Sequence, residues 1–185
     1  MKYKIFALIG EAGSGKDTVM KKILEHEPLM FNEVISCTTR PPREGETHGV
    51  NYYYYTEEEF ADKVVMGEML EVAHFNDWFY GTSYEALRSD VINLGVFNPT
   101  GIETMLSMPN IELTVFYIYA KDKTRLLRQL NREENPDCME IMRRYRTDLM
   151  DFEILEFDHT VLSNETKVDL QDAVNTICLA AKGQK

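Results

Sequence analysis

At 185 residues the chain fits one compact α/β domain with room for small inserts, and its 44% hydrophobic content suits a packed core. Its 31 acidic residues outnumber 20 basic ones, for a net charge of -11, which argues against a broad nucleic-acid or anionic-membrane surface. Six of the nine arginines nevertheless fall between Arg125 and Arg146, a gathering of guanidinium groups suited to a small, highly anionic ligand.

Residues 4–9 form an apolar run bounded by glycine, as a strand buried on both faces requires. Residues 17–27 follow with Val19, Met20, Ile23 and Leu24 at helical spacing, stopped by Pro28. A strand is expected over 31–36, completing a βαβ unit and hence a parallel sheet. From Gly49 to Phe79 the texture changes. Residues 52–55 read as a polar-aromatic strand, and Thr56 with Glu59 as a capping box for a short helix ending near Gly67. A second strand covers 69–75, Asn76-Asp77 form a turn, and Ser83 is expected to cap a helix returning to the main sheet. Strands follow at 94–97 and 113–119, then a helix over 122–132 and a polar loop over 133–137. A longer helix carries Met142, Tyr145, Leu149 and Phe152 on one face. A strand at 159–162 precedes a last amphipathic helix with Leu170, Val174, Ile177 and Ala181 toward the core.

Cys37, Cys138 and Cys178 have no metal-type spacing and read as free thiols in a reducing compartment. No apolar stretch approaches the roughly 20 residues of a membrane span. The N-terminal run leads straight into a glycine loop rather than a signal-peptide pattern, so a cytoplasmic location is expected.

Gly10-Glu11-Ala12-Gly13-Ser14-Gly15-Lys16-Asp17-Thr18 stands between a predicted strand and a predicted helix, the setting a phosphate loop requires. Backbone N–H groups there converge on a phosphate, the helix dipole adds to them, and Lys16 supplies a mobile charge for a γ-phosphate. The residue after Lys16 is Asp17 where Ser or Thr is usual. Its carboxylate is either a direct or water-mediated Mg²⁺ ligand, with Thr18 next in line, or a helix-start acid favoured by the dipole.

Ser36-Cys37-Thr38-Thr39-Arg40-Pro41-Pro42-Arg43 is the second informative segment. Pro41 keeps Arg40 out of helical geometry, and two guanidinium groups three residues apart can grip one phosphate from two sides. Further landmarks are Gly49-Val50-Asn51-Tyr52, Met69-Leu70-Glu71-Val72-Ala73, Tyr80-Gly81-Thr82-Ser83, arginines 128 and 132, and Val161-Leu162-Ser163-Asn164. In this order and over nearly the whole length, the chain resembles the guanylate kinase family.

That resemblance implies an α/β P-loop fold of three layers: a central parallel sheet flanked by helices, with core residues 1–36 and 81–185. It adds a small mixed α/β acceptor-binding insert at about 37–80 and a helical lid at about 125–146, both expected to swing inward. It implies that Arg40, Arg43, Tyr52 and Tyr80 hold the acceptor's phosphate, and that Ser36, Glu71 and Thr82 read its base. Guanine presents N1–H and its 2-amino group side by side, which one carboxylate can accept together. Adenine offers no such pair and would leave Glu71 buried and unmatched. Arg128, Arg132 and Arg143 would close over the phosphates with Lys16, Arg144 being the neighbour that a one-residue shift would substitute. Asn164 matches a position that contacts the adenine of ATP. The implied reaction is ATP- and Mg²⁺-dependent phosphorylation of GMP or dGMP. The alternatives are a monophosphate kinase of other base preference or a non-catalytic binding domain on the same fold. Asn98 stands where family members carry Asp, and Asp17 is expected to return the missing charge to the metal site.

Overall fold

The computed structural model describes residues 2–43, 45–75, 77–132 and 134–183. Strand β1 (Tyr3–Ile9) runs into helix α1 (Lys16–His26), followed by β2 (Phe31–Glu33), β3 (Cys37–Thr38) and β4 (Tyr53–Tyr54). Helix α2 (Glu57–Val65), β5 (Met69–Phe75) and β6 (Trp78–Ser83) come next, then β7 (Ile92–Val96) and α3 (Pro99–Leu106). The chain ends through β8 (Ile111–Tyr119), α4 (Asp122–Leu130), α5 (Cys138–Asp151), β9 (Thr160–Ser163) and α6 (Lys167–Ala181).

The main sheet has the strand order β2-β7-β1-β8-β9, with β2 parallel to β7 and β9 parallel to β8. A second, mixed sheet has the order β4-β3-β6-β5. There β3 pairs parallel with β4 and antiparallel with β6. This is the α/β architecture that the alternation of strands and helices implied.

The chain divides into two compact units. The first comprises Met1–Phe6, Phe31–Gly95 and Thr100–Leu113; its core includes Phe31, Val34, Phe60, Leu70, Leu94, Ile102 and Met105. The second comprises Ala7–Met30, Val96–Pro99 and Thr114–Lys185. There α1 packs against α6, and Val19 and Ile23 on α1 and Val174 and Ile177 on α6 are buried at one-turn spacing. Each such aliphatic side chain contributes about 1.5–3 kcal/mol by leaving water.

Several expected elements are shorter or different. The strand foreseen over 31–36 ends at Glu33, and that over 52–55 is only Tyr53–Tyr54. Ser83 does cap, its hydroxyl accepting the Glu85 N–H at 3.2 Å, but it opens a single 3-10 turn (Tyr84–Ala86) and not a helix. Helix α3 was not foreseen. Pro99 at its first position has no N–H to waste there, and Asn98 precedes it where a helix N-terminus favours such a residue. The turn expected at Asn76-Asp77 and the loop expected from Glu133 each include a residue, Asn76 and Glu133, outside those described. The three cysteines are free thiols. Among the described residues, no helix is long and apolar enough to cross a membrane.

Candidate active site

The second unit carries the phosphate loop, between β1 and α1. Gly15 caps α1 in a left-handed conformation (φ 91°), and a side chain there would meet Asn164 Nδ2 at 2.4 Å. Gly13 (φ 81°) lies so close to α4 that a Cβ would sit 2.5 Å from the Arg125 carbonyl oxygen. Glycine is therefore required at both places by conformation and by space.

Cations gather on the loop's carbonyls. Lys16 Nζ donates to Gly10 O at 2.6 Å and Glu11 O at 3.2 Å. Burial lowers the Lys16 pKa from its ordinary value, opposed by Asp17, Asp148 and Glu11. Arg128 donates to Gly13 O, Ser14 O and Asn164 O at 3.3, 3.1 and 2.6 Å, and Asn164 Nδ2 to Ser14 O at 2.8 Å. Beside them Gly15, Thr18, Arg128, Asn164, Glu165 and Leu170 line a cavity of about 250 Å³.

The remaining expected donor-side residues are spread out. Asp17 and Thr18 are exposed on the first turn of α1, and Arg132 is exposed just past the end of α4. Arg143, on α5, grips Glu140 through Nε at 2.6 Å and Nη2 at 2.8 Å, and Arg144 reaches the same carboxylate at 2.7 Å. Their hydrogen bonds, Arg143's foremost, hold the Glu140 carboxyl down at about 2. Arg125, one of the six arginines gathered in the sequence, is 1% exposed and paired with Glu11, Asp122 and Asp148. Helical spacing brings only Asp122 within reach; Glu11 and Asp148 lie far away in sequence.

The first unit carries the other cluster, on the mixed sheet. Arg40 is buried, and its Nη2 donates to both Glu46 oxygens at 3.1 and 2.8 Å. Glu46 also accepts the Arg43 N–H at 2.8 Å and the Tyr54 hydroxyl at 2.9 Å. The Arg40 guanidinium lies 5.6 Å from the Tyr52 ring and 5.8 Å from that of Tyr54, and the Tyr52 and Tyr80 rings meet edge-on at 6.1 Å. Ser36, half-buried, accepts the Tyr53 N–H at its carbonyl oxygen, at 2.9 Å. Glu46 and Tyr54 were not singled out from the sequence, although Tyr52 and Tyr54 share one strand face by simple alternation.

Glu71 on β5 pairs across the sheet with Thr82 on β6. A bulge between Met69 and Glu71 breaks the strand's alternation, so Leu70 and Glu71 are both buried in spite of being neighbours. Gly81 makes room: a Cβ there would lie 2.5 Å from the Glu71 carbonyl oxygen. Burial raises the Glu71 carboxyl to about 7, countered in part by the nearby Thr82 hydroxyl, which is itself fully buried and, among the described residues, has no partner at bonding distance.

The family model described as guanylate kinase matches residues 2–178. The chain belongs to the guanylate kinase family. A guanylate kinase of Thermotoga maritima is 30% identical over an alignment spanning all of this chain and 89% of that protein. One of Campylobacter jejuni subsp. jejuni is 30% identical over 98% of this chain and 91% of its own. A crystal structure of guanylate kinase from Anaplasma phagocytophilum superposes with a TM-score of 0.66 over 98% of this chain and 86% of that one; at 22% identity it speaks to the fold.

Proposed function

We infer that this chain transfers the terminal phosphoryl group of ATP to a guanine nucleoside monophosphate, GMP or dGMP, as a nucleoside monophosphate kinase. The observation that carries the base assignment is the buried Glu71 carboxyl beside the Thr82 hydroxyl. Two adjacent N–H donors of guanine suit the ionised carboxylate, and O6 suits a hydroxyl donor at Thr82. A base without that donor pair leaves a buried charge unmatched, which costs about 1–3 kcal/mol or more.

In this reading residues 37–80 bind the acceptor, with Arg40, Arg43, Tyr52 and Tyr80 on its phosphate and Ser36, Glu71 and Thr82 on its base. The loop from Gly10 to Thr18 binds ATP, and the cavity beside Asn164 receives the adenine. Residues 125–146 form the lid, with Arg128, Arg132 and Arg143 neutralising charge that develops on the transferring group. Lys16 follows the γ-phosphoryl group as it leaves the β-phosphate for the acceptor, so catalysis rests on positioning and electrostatics. Asp17 and Thr18 offer a carboxylate and a hydroxyl, hard oxygen donors at the end of the loop, which suit a Mg²⁺ shared with phosphates and water. When bound, the metal supplies charge neutralisation on the phosphate oxygens.

The test is coupled ADP release over a panel of nucleoside and deoxynucleoside monophosphates. GMP or dGMP should turn over far faster than AMP, CMP or UMP. Equal turnover of AMP and GMP would overturn the role of Glu71, and no turnover with any acceptor would place the chain among binding domains.

A further inference from the structure

Among the described residues Arg125 is the largest fully buried side chain, and it lies against the phosphate loop. Its Nε donates to Ala12 O at 3.2 Å, Nη1 to Glu11 Oε1 at 3.2 Å and Asp122 Oδ1 at 3.0 Å, and Nη2 to Asp148 Oδ2 at 2.7 Å. The Tyr145 ring covers the guanidinium at 5.4 Å. The same Asp148 oxygen accepts the Ala12 N–H at 2.9 Å. Ala12 is thus gripped at both ends, its carbonyl by a cation on α4 and its N–H by an anion on α5, and the two grips are joined by their own ion pair.

In a trans peptide the C=O and N–H lie in one plane and point in opposite directions. With the Ala12 carbonyl turned to Arg125, the Gly13 N–H points away from α4. With the Ala12 N–H turned to Asp148, the Glu11 carbonyl points the other way, where it receives the Ser14 N–H at 3.1 Å and Lys16 Nζ at 3.2 Å. A buried cation paired with a half-buried anion is a costly means of merely holding helices together, since apolar side chains of similar volume serve as well. Here the pair spends its hydrogen bonds on the loop's backbone.

We propose that Arg125 and Asp148 are positioning residues that set the peptide planes on either side of Ala12 and thereby the seat of Lys16. The proposal rests on the reading of this loop as the ATP site.

The decisive variant replaces both charges, Arg125→Met with Asp148→Leu, compared with each single change by thermal melting, ATP titration calorimetry and steady-state kinetics. Each single change strands the charge of its partner and lowers Tm; the double change recovers part of the loss, Glu11 still lacking Arg125. The double variant should still weaken ATP, in Kd and KM, by about tenfold, because a displaced loop misplaces Lys16, and leave KM for GMP within about twofold. An Asp148→Asn variant keeps an oxygen for the Ala12 N–H, so it should retain more ATP affinity than Asp148→Leu. A double variant with wild-type Tm and wild-type ATP affinity would overturn the proposal. Should the double variant fail to fold, equal ATP affinity of Asp148→Asn and Asp148→Leu would overturn it instead. Wild-type protein that binds no ATP would remove the reading of the loop, and this proposal with it.

Discussion

Around the phosphate loop the cations close on backbone: Lys16 on the carbonyls of Gly10 and Glu11, Arg128 on those of Gly13, Ser14 and Asn164, Arg125 on that of Ala12. In the mixed sheet the arrangement is reversed. An anion, Glu71, is buried against a hydroxyl, and its carboxyl is raised to about 7. On the proposed reading, the difference follows from what each region would recognise. Phosphates are the same on every nucleoside triphosphate, so a backbone held rigid by its own cations is enough. A base is distinguished by its hydrogen-bond pattern, so the region that reads it keeps a group whose charge only the right ligand satisfies.

The comparison breaks most sharply at Lys16. Removing its charge with Lys16→Met should lower kcat by about 10²–10³, as loss of a preorganised charge at the transferring group does. Since burial lowers the Lys16 pKa, the same change should leave Tm unchanged or higher. A loss confined to KM for ATP would assign Lys16 to ground-state binding instead.

Glu71→Gln is the matching change in the acceptor region. It should raise KM for GMP by about ten- to a hundredfold while sparing KM for ATP, since one of two guanine donors then faces an amide NH₂ or nothing. Its pH dependence carries a sign. Because the free carboxyl titrates near 7, KM for GMP should rise as pH falls below about 7, and the Gln variant should lose that dependence. For stability the direction is opposite. The folded pKa lies above the ordinary 4.5, so the stability this group contributes is full below 4.5 and is lost as pH rises through about 7. Glu71→Gln should therefore raise Tm more at pH 8 than at pH 5. A Tm gain that is the same at both would show that Glu71 is not titrating in the fold.

Glu46→Gln should act more weakly, raising KM for GMP about three- to tenfold through Arg40, whose Nη2 would keep one oxygen of two. An Arg40→Lys change, which loses the planar fork altogether, should cost more than Glu46→Gln; the reverse order would give Glu46 a direct part in binding.

How much of this was legible in the sequence depends on how local the cause is. The glycines at 13 and 15, the strand at Met69–Phe75 and the capping box at Thr56 and Glu59 are set by neighbours in sequence, and the structure has them. The burial of Glu71 was not legible from strand alternation, because the bulge after Met69 changes which face it takes. The burial of Arg125 was not legible either, since its partners Glu11 and Asp148 lie 114 and 23 residues away. Strand β2 fell short of residues 34–36 for a similar reason. Val34 keeps a ladder-type bond to Leu94 O at 2.9 Å, but the chain then leaves the main sheet and joins the mixed sheet at Cys37.

The smallest effect separates fold from function within the same two regions, through their two capping boxes. Thr56 accepts the Glu59 N–H, and Glu59 returns to the Thr56 N–H, at the start of α2. Thr166 and Asp169 do the same for α6, but Thr166 also lines the cavity beside Asn164. Either Thr→Ala change removes one acceptor for an orphan N–H and should lower Tm by about 2–4 °C. Thr56→Ala should leave both KM values unchanged, whereas Thr166→Ala should also raise KM for ATP about two- to threefold through the cavity wall. Equal kinetics in the two variants would show that the cavity beside Asn164 is not where the adenine sits, and would leave the donor region defined by its phosphates alone.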